Sequence, residues 1–235
     1  WDIEGGSCLN TLKGHQDSIW SVAFFPDGER LATGSTDGTI KLWKAGARTP
    51  YRTISGHSGY IYSVSISSDG KYLASGGAGR AVRVWDAGTG ARKFTLEGHS
   101  AAVNSVAFAR TGYLVSGSDD GSVKVWRLSD GLCLKTLTRS ERPILAVACS
   151  PDGAHVFSGG GDREIHAWSI AQGNLVRTFQ GHGGSVKSLA FSRDGKYLAS
   201  GSFDKIIKLW LTPWEAEARN NEIRKAAALE AEKNK

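Results

Sequence analysis

Apolar and polar residues alternate from Ser18 to Phe24, and the same alternation returns over 59–66, 101–108, 142–149 and 184–191. A period of two marks a strand with one face buried. Each run leads into a turn: Pro26-Asp27-Gly28, Ser68-Asp69-Gly70, Arg110-Thr111-Gly112, Pro151-Asp152-Gly153 and Arg193-Asp194-Gly195. Proline and glycine at these places supply the dihedral angles of a tight hairpin turn. A second strand is predicted around Leu31, Leu73, Leu114, Val156 and Leu198. A short Gly/Asp turn leads to a third, which ends at Trp43, Trp85, Trp126, Trp168 and Trp210. A fourth is predicted around Thr11-Leu12, Thr53-Ile54, Thr95-Leu96, Thr136-Leu137 and Thr178-Phe179.

Those five tryptophans lie 42, 41, 42 and 42 residues apart, and Trp1 stands one period earlier. Gly14-His15, Gly56-His57, Gly98-His99 and Gly181-His182 keep the same spacing. A fixed period of this length overrides any local reading and predicts a repeat architecture. Four antiparallel strands per period make one propeller blade. The expected domains are a propeller over 1–211, with repeats at about 3–44, 45–86, 87–127, 128–169 and 170–211, and a tail over 212–235.

The run from Thr178 to Trp210 holds Gly181-His182, Ser188-Leu189-Ala190-Phe191, Asp194-Gly195, Leu198-Ala199-Ser200-Gly201-Ser202, Asp204 and Ile207-Lys208-Leu209-Trp210. It resembles the WD40 repeat, and the resemblance extends over residues 1–211. Only Trp1-Asp2 and Trp85-Asp86 keep the literal Trp-Asp pair. The resemblance implies an all-β propeller of four-stranded antiparallel blades. It also implies that the strand near Cys8 to Leu12 completes the last blade and clasps the ring, which would remove exposed sheet edges. Five blades would each turn about 72°, whereas the seven-bladed rings that these repeats resemble turn about 51° per blade. The expectation is therefore a seven-bladed ring in which about two N-terminal repeats are absent or come from elsewhere. The unpaired Trp1-Asp2 and the lack of any methionine agree with a piece of a longer protein.

Three repeats place a histidine, a hydroxyl, an aspartate and a tryptophan in register. They are His15, Thr33, Asp37 and Trp43; His99, Ser116, Asp120 and Trp126; and His182, Ser200, Asp204 and Trp210. Ser, His and Asp together invite comparison with a hydrolase triad. Repetition argues against it, because catalysis needs one tuned site and this set recurs blade after blade. The resemblance implies a structural network instead, in which Asp accepts from His, His bridges to the hydroxyl, and the hydroxyl meets the indole N–H. Two repeats depart from the pattern: Gly79 stands where Asp belongs, and Ser140 where His belongs. Those two blades are expected to open more readily, since a broken buried network leaves polar groups unpaired.

Columns that vary from repeat to repeat are not fixing the fold. One reads Trp20, Tyr62, Asn104, Leu145 and Lys187; another reads Ser18, Tyr60, Ala102, Pro143 and Ser185; a third reads Thr36, Ala78, Asp119, Gly161 and Phe203. These resemble the columns that line the top face of WD40 rings, where partners dock. The expected partner-binding set is Trp20, Tyr60, Tyr62, Asn104, Lys187, Phe203 and Arg142, with Trp20, Tyr60 and Tyr62 as the anchor. Phe203 joins that patch only if five blades close. Arg80, Arg142 and Lys187 are candidates for acidic partner groups.

Bulk composition changes the picture little. The chain is 40% hydrophobic and 22% charged, as soluble globular domains are. No apolar run approaches the roughly 20 residues of a membrane span. The net charge of +6 leaves nucleic acid as an alternative partner. Much of the charge, however, sits in strands such as Ile40-Lys41-Leu42 and Val123-Lys124-Val125, with one face wet. The three cysteines form no framework, which favours an intracellular, cytoplasmic setting. Gly76-Gly77-Ala78-Gly79-Arg80 resembles a phosphate loop, but it lies between two strands and reads as a turn. Asp119-Asp120-Gly121 lacks the other ligands of a calcium loop. His155 and His166 are expected at the surface, and no Cys/His cluster has metal spacing.

The tail changes character. Thr212-Pro213-Trp214-Glu215 reads as a capped helix start, and 213–233 are rich in Ala, Glu, Lys and Arg. A helix lying weakly on the propeller, or a linker, is expected, with Trp214 docking its start.

The functional expectation is a non-catalytic scaffold or recognition module, with no cofactor, that binds protein segments or domains on its top face within a multi-subunit assembly. Two alternatives stand beside it: the sensor propeller of a signalling ATPase or kinase, and a ribonucleoprotein component.

Overall fold

The computed structural model describes residues 2–110 and 112–215. Blade 1 comprises β1 (Ile19–Phe24), β2 (Arg30–Ser35), β3 (Ile40–Lys44) and β4 (Arg52–Ile54). Blade 2 comprises β5 (Ile61–Ile66), β6 (Tyr72–Gly77), β7 (Val82–Asp86) and β8 (Arg92–Leu96). Blade 3 comprises β9 (Val103–Phe108), β10 (Tyr113–Ser118), β11 (Ser122–Arg127) and β12 (Cys133–Thr138). Blade 4 comprises β13 (Ile144–Cys149), β14 (His155–Gly160), β15 (Ile165–Ser169) and β16 (Leu175–Phe179). Blade 5 has three strands, β17 (Val186–Phe191), β18 (Tyr197–Ser202) and β19 (Ile207–Leu211). Every sheet is an antiparallel meander in chain order. The result is an all-β, five-blade propeller.

The apolar cores lie between blades, not within them. Ile40, Leu42 and Ile54 of blade 1 pack on Ile61, Val64, Leu73 and Trp85 of blade 2. The same columns meet between blades 2 and 3, 3 and 4, and 4 and 5. The first strand of each blade leans on the second strand of the blade before it, and that contact explains a column of glycines. A Cβ on Gly34 would stand 2.7 Å from Ile61 Cγ2, and one on Gly117 would stand 2.5 Å from Ile144 Cγ2. Serines in the first strands add polar stitches: Val64 N donates to Ser21 Oγ at 3.0 Å, Val106 N to Ser63 Oγ at 3.1 Å and Val147 N to Ser105 Oγ at 3.1 Å.

The series then stops. Among the described residues blade 5 makes no comparable contact with blade 1. The trailing face of blade 5 shows the consequence. Ile207 is 81% exposed, whereas Ile40, Val82, Val123 and Ile165 in the same column are fully buried. Leu209 is exposed, and so are Ile19, Val22 and Phe24 on the leading face of blade 1. Each end of the arc is half of a blade interface.

The predicted strand at Cys8 to Leu12 does not form. Its expected partner edge, β19, lies at the far end of the arc, and a strand without a neighbour has nowhere to place its backbone hydrogen bonds. The segment lies along blade 1 instead. Asn10 Nδ2 donates to the carbonyls of Ala45 at 3.0 Å and Ala47 at 2.7 Å, and Lys13 N donates to Arg48 O at 3.1 Å.

At the other end, residues 213–215 are helical. Trp214 stacks on His155 at 5.0 Å between ring centroids and on Phe191 at 6.4 Å, and meets the edge of Phe157. The predicted helix beyond residue 215 lies outside the described residues.

Candidate interaction surface

A repeated irregularity builds the rim of the propeller. In every blade the pairing of first and second strands slips by one residue, leaving Trp20, Tyr62, Asn104, Leu145 and Lys187 bulged. A bulged residue leaves the ladder and its side chain is re-aimed. Beside each bulge one backbone bond ties the other two variable columns together. Thr36 N donates to Ser18 O, Ala78 N to Tyr60 O, Asp119 N to Ala102 O, Gly161 N to Pro143 O and Phe203 N to Ser185 O. The three columns are therefore one continuous rim.

On that rim the structure brings the predicted aromatics together. Trp20 is 58% exposed and meets Tyr62 edge-on at 6.2 Å, and Tyr60, 51% exposed, lies 6.4 Å from Tyr62. Aromatic pairs in this geometry are worth about 0.5–1.5 kcal/mol beyond their buried area. The cluster is thus pre-assembled, with Trp20 and Tyr60 exposed and Tyr62 half-buried.

The other predicted residues fall elsewhere. Phe203 is exposed on blade 5 with Lys187 Nζ 5.8 Å from its ring centre. The open arc keeps that pair apart from the blade 1–2 cluster. Asn104 is not free: its Nδ2 donates to Asp119 Oδ1 at 2.6 Å and to Ile144 O at 3.0 Å, bridging blades 3 and 4. Arg142 and Arg80 are exposed.

Beneath the rim the polar networks are built as expected in blades 1, 3 and 5. His15 Nδ1 lies 2.7 Å from Asp37 Oδ2 and its Nε2 lies 2.7 Å from Thr33 Oγ1, which accepts Trp43 Nε1–H at 2.8 Å. Blade 3 repeats this with His99, Asp120, Ser116 and Trp126, every contact at 2.8 Å. Blade 5 repeats it with His182, Asp204, Ser200 and Trp210 at 2.7, 2.7 and 2.8 Å. Burial alone would raise the Asp120 carboxyl. Hydrogen bonds from the Ser122 hydroxyl, the Ser100 and Ser122 amides and His99 outweigh it and hold the group at about 2. Burial pushes the His99 imidazole below its ordinary value, against the pull of Asp120. Neutral His99 gives Nδ1–H to Asp120 and accepts the Ser116 hydroxyl at Nε2, and Ser116 Oγ in turn accepts Trp126 Nε1–H, so that buried hydroxyl is engaged on both sides within the blade.

In blade 4 the aspartate finds a partner in an unexpected column, while Trp168 Nε1–H donates to Ser158 Oγ at 2.9 Å as a separate pair. Ser140 Oγ donates to Asp162 Oδ2 at 3.1 Å, and His166 Nε2 lies 2.8 Å from the same oxygen. His166 is 1% exposed, not at the surface. Its Nδ1 lies 3.2 Å from Thr178 Oγ1, as Lys41 and Lys124 of the same column meet Thr53 and Thr136, and its Nε2 reaches the aspartate that lacks a loop histidine. His155 is also half-buried, roofed by Trp214. Asp162, Glu164 and His166 place three potential ligand atoms within 4.8 Å of one another. The His166–Asp162 hydrogen bond accounts for that approach.

Blade 2 is different. With Gly79 in the aspartate position, Arg83 enters from the lysine column and its Nη1 lies 3.1 Å from His57 Nδ1. Burial first, and then the Arg83 charge, push His57 down to about 3. Neutral His57 therefore accepts at Nδ1 and donates Nε2–H to Ser75 Oγ at 2.6 Å, which also accepts Trp85 Nε1–H at 2.8 Å. The proton order is the reverse of that in blades 1, 3 and 5.

A family model for the "WD domain, G-beta repeat" matches residues 6–44, 48–86, 90–127, 131–169 and 173–210. The chain belongs to the WD40 repeat family. Propellers of this family typically mediate protein–protein interaction or scaffolding, and the fold is generally non-catalytic. Among its relatives, the vegetative incompatibility protein HET-E-1 of Podospora anserina is 48% identical over 48 residues, 20% of this chain and 4% of that protein. The guanine nucleotide-binding protein subunit beta of Zea mays is 52% identical over 44 residues, 18% of this chain and 12% of its own length. Human coronin-7 is 43% identical over 44 residues, 19% of this chain and 5% of its own. Each match is about one repeat long, so it reports the blade and not the binding face. Among the described residues no helix is long and apolar enough to cross a membrane.

Proposed function

We propose that this chain is a non-catalytic docking module that binds a protein segment on its rim, with Trp20, Tyr60 and Tyr62 as the anchor. One observation carries the proposal: Trp20 and Tyr60, on adjacent blades, are both exposed, and each meets the half-buried Tyr62 ring. Clustered exposed aromatics on a rigid scaffold are the composition of binding hot spots. The bulges that present them are fixed by the ladder, so little ordering cost remains to be met on binding. Arg80 and Lys187 would add charge on the same rim. The exposed end faces support the further proposal that about two more blades complete the ring, from the same polypeptide or from another member of an assembly.

A displayed random-peptide library selected on the wild-type chain tests the anchor. Selected clones should lose at least tenfold in affinity on Trp20→Ala/Tyr60→Ala. They should keep it on Leu134→Ala/Val176→Ala, a pair of exposed apolar residues on outer strands. Clones that bind both variants equally would place the docking surface elsewhere.

A further inference from the structure

The altered network of blade 2 leaves a basic cleft whose shape is defined by a missing carboxylate. In blades 1, 3 and 5 the aspartate accepts two backbone amides. One comes from the residue after the histidine: Gln16 N at 3.0 Å, Ser100 N at 2.9 Å and Gly183 N at 2.8 Å. The other comes from two residues beyond the aspartate: Thr39 N, Ser122 N and Ile206 N, each at 2.9 Å. The counterparts in blade 2 are Ser58 N and Ala81 N, and neither has a protein acceptor among the described residues. Arg83 Nε is buried without a hydrogen-bond partner. Ser58, Ala81 and Arg83 thus line one cleft at the position where the other blades hold a negative charge.

The backbone records the same loss. In the other four blades the residue after the aspartate has positive φ: Gly38, Gly121, Arg163 and Lys205. Arg80 does not. The β6–β7 ladder ends at Ser75 and Arg83, one pair short of its counterparts. Without an aspartate to gather the turn, the cleft stays open, lined by Ser58, Gly79, Arg80, Ala81 and Arg83. Glu97 also borders it; the side chain is exposed and makes no ion pair with either arginine.

We propose that this cleft is a receptor for a carboxylate, supplied by a glutamate or aspartate side chain of a partner polypeptide, which completes the blade 2 network in trans. The carboxylate would accept from Ser58 N, Ala81 N and Arg83. His57 would then turn its proton order round, giving Nδ1–H to the incoming oxygen as His15, His99 and His182 do in their own blades. Binding is read out in the core, at the His57–Ser75–Trp85 chain. The site stands independently of the aromatic anchor, because its test needs no partner and no residue of that cluster.

The experiment is long-range proton–nitrogen NMR of the histidine rings during titration with sodium acetate, against sodium chloride at equal ionic strength. Blocked glutamate and blocked glutamine serve as a second pair of probes. Expected is a change of His57 from the Nε2–H to the Nδ1–H tautomer with acetate and with blocked glutamate, together with shifts of the Ser58 and Ala81 amides. Chloride and blocked glutamine should do neither. The Gly79→Asp variant, at a position with no positive φ and only the rotatable Ser58 Oγ close by, should show Nδ1–H from the start and no response. His99 and His182 signals report that it folds. His57 unmoved by acetate, or moved equally by chloride, overturns the proposal. So does a response to inorganic phosphate without one to acetate, or a Gly79→Asp variant that titrates like the wild type.

Discussion

The repeat gives this propeller an internal control that most folds lack. Ile165 and Ile207 occupy the same column, in the same strand of adjacent blades, yet one is fully buried and the other 81% exposed. Ile165 lies in the blade 4–5 core against Val186 and Leu198. Truncating it to alanine removes buried methyl groups and leaves a cavity, at about 2–5 kcal/mol. Ile207 has no blade beyond it, so Ile207→Ala should change stability by less than about 0.5 kcal/mol. The difference of at least about 1.5 kcal/mol exceeds the error of urea denaturation followed by tryptophan fluorescence. The measurement should be made at two protein concentrations. If another chain or a second copy covers β19 in solution, Ile207→Ala will cost more at the higher concentration. Equal losses at Ile165 and Ile207, independent of concentration, would refute the open arc.

Four further outcomes follow from the networks and the ends. Asp120 is held at about 2 against an ordinary 3.8, so its contribution is whole above about pH 4 and is lost as pH falls toward 2. Urea midpoints from pH 5 to 2.5 should fall more steeply for wild type than for Asp120→Asn. Blade 2, with a buried and unpaired Arg83 Nε, should show weaker amide protection in hydrogen exchange than blade 3, and equal protection would discount that orphan atom. Blade 4 should be protected until His166→Ala removes that partner of Asp162, at about 1–3 kcal/mol; an unchanged exchange pattern in that variant would make Ser140 sufficient. Trp214→Ala should destabilise blades 4 and 5 by about 1–3 kcal/mol through the lost stacking on His155 and Phe191, measured by thermal unfolding.

Most of the architecture was legible because each blade states its own strands. Alternation, turn triplet and closing tryptophan are local, and the structure places a strand on either side of each triplet and at each tryptophan from Trp43 to Trp210 that closes a repeat. The segment at Cys8 to Leu12 has the same lettering as the other outer strands and still forms none, because a strand depends on an edge that its own residues do not supply. The complete networks could be read from register, since a His, a hydroxyl, an Asp and a Trp at fixed offsets have one economical arrangement. The substitute partners could not. Arg83 and His166 stand in a column of lysines elsewhere, and nothing in that column's lettering announces a bond to His57 or to Asp162. The two substitutions were visible; the residue that would answer each was not. The rim was legible as variability, while the bulge that causes it shows only in the pairing.

That slipped residue has a consequence for how such a surface changes over time. Trp20, Tyr62, Asn104, Leu145 and Lys187 sit outside the ladder, one per blade, at a position whose backbone is held by its neighbours. Apart from Asn104, whose amide also ties blade 3 to blade 4, replacing them alters what the rim presents and leaves the interblade core residues in place. Mutation can therefore sample these positions separately, and a blade duplicated whole arrives with its own blank slot already in place.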